Sequence, residues 1–174
     1  MHRLTLIVGL LLCLSAAAAE LPSRVAEVFG SAENLRLVRA ADQVDACLLR
    51  HLPAPVRPDG SVDRQAERFE ETAFVPVAPA AASHLRELLL SEKTYVNADH
   101  TSSRQPTYSV RLRFRCGPDV VAVDFCFPCR VLRILRNGAA VGGAGFGGND
   151  DLVVNAFLKI FPADKVLQDV ARAR

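Results

Sequence analysis

The stretch from Val110 to Cys129, VRLRFRCGPDVVAVDFCFPC, decides the fold. It divides around a turn into two halves that alternate apolar and polar residues, the pattern of an antiparallel hairpin. With Pro118-Asp119 at the turn centre, Cys116 faces Val121, Phe114 faces Val123, Leu112 faces Phe125 and Val110 faces Phe127. Every one of these pairs is apolar. The other face then carries Arg115 with Ala122, Arg113 with Asp124, and Arg111 with Cys126. Slipping the register by one residue mixes the faces and sets Asp124 against Leu112, so a hairpin with one dry and one arginine-rich face is strongly specified.

Beyond Cys129, VLRILR at 131–136 reads as a strand through Val131 and Ile134, although Arg130, Arg133 and Arg136 also fit one helical face. Asn137-Gly138 is a favoured hairpin turn, and AAVGGAGF at 139–146 returns as a ragged edge strand. Upstream, residues 25–51 read as helix. Leu35, Val38, Ala41, Val44 and Leu48 recur at three- and four-residue steps, with a break at Gly30-Ser31 and Ser31 as cap. A proline-rich connector follows His51, and residues 68–77 form a strand with Pro76 at an edge. Pro79 opens a helix through Glu92 that buries Leu85, Leu88 and Leu89. Asn149 to Asp151 cap a late helix carrying Leu152, Val153, Ala156, Phe157 and Ile160, which Pro162 interrupts. This order predicts an α+β domain: an antiparallel meander sheet of three to four strands with helices packed on one face.

The first nineteen residues read as a secretory signal. His2 and Arg3 precede an apolar run from Leu4 to Leu14, and Ala16 to Ala19 supply the small residues of a cleavage site. A lipid anchor on Cys13 is disfavoured, because Leu12 before it is bulkier than such a site takes. Residues 20–174 then make a single domain, large enough to bury a core without metal or disulfide staples. No later apolar run is long enough to cross a bilayer, so no transmembrane segment is expected after cleavage. The formal charge of +2 for the whole chain falls to +1 without Arg3, which argues against nucleic-acid binding. Arginine outnumbers lysine 18 to 3, a bias of GC-rich bacterial genomes, so the expected location is periplasmic or secreted.

An oxidising compartment makes Cys47, Cys116, Cys126 and Cys129 disulfide candidates, with three possible pairings. Cys47 alone reads as a small buried hydrophobe. Residues three apart in an extended strand lie about 10 Å apart, whereas a disulfide needs Cα atoms roughly 4.4–6.8 Å apart. Cys126 and Cys129 therefore bond only if Phe127-Pro128 turns the chain, and a cis Pro128 is one way to do so. A zinc site would recruit Cys116 or Cys47 with His51, His84 or His100, but one C-x-x-C is half of such a site and no second pair exists. No metal or other cofactor is expected. Gly143 to Gly148 match G-x-G-x-x-G without the parallel βαβ unit that a nucleotide needs, so a loop is the better reading. Asp99-His100 lacks a neighbouring nucleophile. Arg111, Arg113 and Arg115 are the candidate binding residues, a cationic sheet face suited to an anionic envelope component or an acidic protein. The competing reading is a solvated face carrying salt links such as Arg113 to Asp124.

The string Cys-Phe-Pro-Cys-Arg at 126–130 resembles the active site of thioredoxin-like oxidoreductases. That resemblance implies Cys126 as nucleophile at a helix N-terminus and Cys129 as resolving thiol. The chain departs from the pattern in three ways: Phe125 runs directly into Cys126, tryptophan is absent, and too few residues follow to complete that fold. More broadly, the chain resembles a loose group of uncharacterised exported bacterial proteins. They share a helix ending near a tyrosine, a hairpin, a Cys-Phe-x-Cys strand and a late helix with Phe-Pro. The matching pieces are Leu85 to Tyr95, Val110 to Phe125, CFPC at 126–129 and Phe161-Pro162. That group often has another cysteine before the hairpin, where this chain has Ser102 to Pro106. The resemblance implies a cysteine pair borne on a strand and brings no activity with it. The sequence thus favours a non-enzymatic envelope binding or structural domain. A thiol-disulfide oxidoreductase and a zinc-binding protein are the alternatives.

Overall fold

The computed structural model describes residues 23–53, 55, 57–61, 69–95 and 106–173. The leader with Cys13 and the Asp99-His100 loop lie outside them. In chain order the elements are α1 (Ser23–Val28), α2 (Ala32–Ala40), β1 (Gln43–His51), β2 (Phe69–Glu71), β3 (Val75–Pro76) and α3 (Pro79–Leu89). A 3-10 turn (Glu92–Tyr95) precedes β4 (Val110–Cys116), β5 (Asp119–Cys126), β6 (Val131–Arg136), β7 (Ala139–Gly145), α4 (Asp150–Ile160) and α5 (Lys165–Arg172). The class is α+β, but the antiparallel sheet has seven strands where three to four were expected. Its order is β2-β1-β4-β5-β6-β7, with β3 pairing β1 beside β2.

The extra interior strand, β1, comes from the segment read as the end of a long helix. Helix α2 starts at Ser31, whose side chain accepts from the Asn34 amide at 3.2 Å, and stops at Ala40. Ala41 turns extended (ψ 124°), and the Asp42 N–H donates to the Arg115 carbonyl. From there β1 is covered on both faces. Val44 and Ala46 join the helix-side core, while Asp45, Cys47 and Leu49 point to the other side and are also buried. A strand buried on both faces reads as an apolar run, and Val44 with Leu48 fits a helical step as well as a strand step. Position in the sheet overrode that local ambiguity.

The hairpin forms with its faces as expected and its register displaced by two residues. Phe114 pairs with Val121, Leu112 with Val123 and Val110 with Phe125. The turn is Gly117-Pro118, with Cys116 opposite Asp119 and Gly117 at φ 58°. A left-handed first residue suits the tight hairpin turn that matches strand twist, and proline's fixed φ suits the second position. A two-residue shift leaves each side chain on its own face. It does change the partners: Arg111, not Arg113, lies opposite Asp124.

All five helices contribute to one core against a single sheet face: Val25 and Val28, Leu35 and Val38, Leu85 and Leu89, Val153 and Phe157, and Leu167. At its centre Phe125 stacks with Phe127 (ring centroids 5.7 Å apart), and both meet Phe146 and Phe157 edge-on. The glycine run is a packing device. A side chain on Gly142 would enter the Val28 carbonyl, and one on Gly148 the Lys93 carbonyl. The Gly147 and Gly148 amides donate to the Thr94 carbonyl. These glycines bring backbone against backbone, and Gly143 to Gly145 lie in β7, not in a loose loop.

Candidate functional site: the arginine face and the cleft beside it

On the sheet face away from the helices, register sets the chemistry. Cys47, Arg111, Asp124 and Arg133 lie side by side across β1, β4, β5 and β6. The neighbouring row is Asp45, Arg113, Ala122 and Leu135. Asp124 is fully buried and Asp45 is 4% exposed. Such carboxylates are costly to bury unless paired and hydrogen-bonded. Arg111 holds Asp124 through two bonds, Nε at 2.6 Å and Nη2 at 2.8 Å, and Arg133 Nη2 adds a third at 2.8 Å. Arg113 and Arg115 hold Asp45 through their Nε atoms at 2.5 and 3.1 Å. Arg111 also reaches Glu71. The bond to Asp124 raises the Arg111 pKa still further above its ordinary value, so its charge is permanent.

Aromatic rings cover two of these guanidinium groups. Arg113 lies over the Phe74 ring, and Arg133 sits 4.3 Å from the Tyr108 centroid. The three arginines nominated from sequence are therefore brought onto one face, each with carboxylate partners. Four arginines on this face meet Asp45, Asp124 and Glu71, leaving little net charge. A recess of about 230 Å³ opens over Arg111 and Arg113 beside Glu71. Asp45 escaped the sequence reading because its segment was assigned to a helix. The alternation Val44, Ala46, Leu48 was the signal that could have found it.

The disulfide candidates also separate. Cys126 and Cys129 are bonded, with Cα atoms 5.6 Å apart, while Cys47 and Cys116 are free. The required turn spans Phe127 to Arg130 and contains no cis peptide bond, since none occurs among the described residues. Instead Arg130 takes a left-handed φ of 52°, its N–H donates to the Phe127 carbonyl, and its carbonyl accepts from the Phe146 amide. The Arg130 side chain pairs with Asp150 at the start of α4. Phe127 thus points into the core and Pro128 outward. Cys126 is the last residue of an antiparallel strand and no helix begins there, so the helix N-terminus of the thioredoxin resemblance is not what holds it. It is buried with Cys47, Leu49 and Tyr108. Burial pushes the Cys47 thiol up to about 12.

Where the arginine face ends, a cleft of about 870 Å³ opens between β1, residues 107–109, Pro128 and the α4–α5 corner. Its walls include Leu48, Ile160, Phe161 and Val166, and Val166 is 43% exposed. Arg50, His51 and Lys165 also line the cleft, and all three are exposed. Asp164 is there too, but its carboxylate accepts from the Leu167 amide at 2.9 Å and caps α5. The β1 backbone beside the cleft is already used, because Leu49 to His51 pair with β2 and the Leu49 amide donates to the Ser109 carbonyl. His84 lies elsewhere, in a groove between α3 and α4 with Lys159. Among the described residues, no three His, Cys, Asp or Glu side chains are grouped to hold a metal ion, and no helix is long and apolar enough to cross a membrane. Comparison with protein-family models, curated proteins and solved structures finds no match to this chain.

Proposed function

We propose that this is an exported, non-enzymatic envelope domain that binds an anionic amphiphile, a single apolar chain with an acidic head. The contact is the cleft, and the arginine face is the frame that supports it. The observation that carries this reading is the cleft's composition: Leu48, Ile160, Phe161 and Val166 line it together with the exposed cations Arg50 and Lys165. Clefts of this size and lining are the ordinary form of small-molecule sites. The paired β1 backbone offers no free edge for adding a peptide strand, which favours a ligand held by side chains over an acidic peptide.

Calorimetry with dodecyl phosphate below its micellar concentration tests the proposal, with dodecyl maltoside as the uncharged control. The phosphate binds and the maltoside binds more weakly. Lys165→Glu weakens phosphate binding by about tenfold, the loss of one charge-assisted contact. Val166→Asp abolishes binding, and added salt weakens it. Equal binding of the two detergents, or unchanged binding in Lys165→Glu, contradicts the proposal.

A further inference from the structure

We infer that the Cys126–Cys129 disulfide is a one-sided exchange site, open to an external thiol only at Cys129. The two cysteines differ in burial. Cys126 is 2% exposed, at the end of β5 opposite Val131, in an apolar cluster with Cys47, Leu49 and Tyr108. Cys129 packs against the edge of the same cluster but is only partly buried, at the tip of the turn between the exposed residues Pro128 and Arg130. In-line attack on a disulfide needs access to the sulfur that is struck, with the other sulfur leaving. A thiol can approach Cys129 from solvent, whereas the protein stands in front of Cys126.

The external thiolate bonds to Sγ of Cys129, the S–S bond breaks, and Cys126 leaves as a thiolate that takes a proton from water. The product is a mixed disulfide at Cys129 and a free thiol at Cys126. A second thiolate, from a dithiol reductant, then displaces Cys129 and completes the two-electron reduction. The leaving sulfur is born in an apolar cluster that disfavours a thiolate, as burial does for Cys47 in the same cluster. Exchange is therefore slow as well as one-sided. This order is the reverse of the one implied by the thioredoxin resemblance, where the first cysteine is the reactive one. The residue following Cys129 anchors the turn to α4 through Asp150.

The test exposes the folded, oxidised protein to excess glutathione, quenches it with acid, and locates the adduct by fragment-ion sequencing of the tryptic peptide 116–130. The adduct is expected on Cys129. In parallel, the folded variants Cys126→Ser and Cys129→Ser are treated with oxidised glutathione. Cys129 in the first should acquire glutathione at least about tenfold faster than Cys126 in the second. The two rates should converge in concentrated urea, which reports on access and so controls for folding. An adduct on Cys126, or equal rates in the folded variants, overturns the inference. So does the absence of any adduct in folded protein at a thiol concentration that opens the bond in urea, because Cys129 would then be as closed as Cys126.

Discussion

At the scale of single residues, the arginine face is held together by two carboxylates. A sheet face bearing Arg111, Arg113, Arg115 and Arg133 would repel itself if solvated. Asp124 and Asp45, each shared by two arginines, turn that repulsion into a network. Removing one partner of a buried pair costs about 3–5 kcal/mol, because the other charges stay behind uncompensated. Asp124→Ala should therefore lower the Tm by roughly 10 °C or more in thermal denaturation. Asp169→Ala, which removes a solvent-exposed pair with Arg172, should leave it unchanged. A second residue-scale expectation concerns alkaline pH. The Cys47 thiol is held protonated by burial up to about 12, against an ordinary value near 9.0. Below 9 the thiol is neutral in both folded and unfolded chains and does not affect stability's dependence on pH. Between 9 and 12 only the unfolded chain releases the proton, so stability falls as pH rises. Urea denaturation across that range should show the fall, and Cys47→Ala should make it shallower.

At the scale of elements, legibility followed periodicity. The hairpin faces could be read because a period of two, sustained over β4 and β5, admits one sorting of arginine from phenylalanine. Its register could not, because shifts of two residues are invisible to that pattern and the choice fell to Gly117 as the one residue suited to φ 58°. The Asn137-Gly138 turn was legible for the converse reason. Both residues take positive φ, 48° and 87°, and that dipeptide tolerates both. β1 reads as helix because Val44 with Leu48 fits a helical step as well as the strand alternation of Val44, Ala46 and Leu48, and that ambiguity hides Asp45. The glycine run reads as a loop from sequence, and its place in β7 and its packing role are visible only with Val28 and Lys93 in place. Gly142→Ala should destabilise the chain by driving a methyl group into the Val28 carbonyl, and the loss of Tm should exceed that of Ala140→Gly on the exposed part of β7.

At the scale of the whole molecule, the division of labour is between a frame and an opening. Helices seal one face of the sheet, aromatic rings and ion pairs close most of the other, and a disulfide pins the turn where the two meet. The cleft arises where β1, the 107–109 segment and the α4–α5 corner end together, elements more than a hundred residues apart in sequence. No local pattern announces such a meeting, so sequence pointed to the arginines and passed over Val166 and Lys165. The proposed ligand contact lies in that opening. Amide chemical-shift mapping by NMR during titration with dodecyl phosphate tests this most directly. The account predicts shifts confined to Leu48–His51, Thr107–Ser109 and Phe161–Val166. Shifts centred on Arg111, Arg113 and Arg115, with the cleft unmoved, would contradict it.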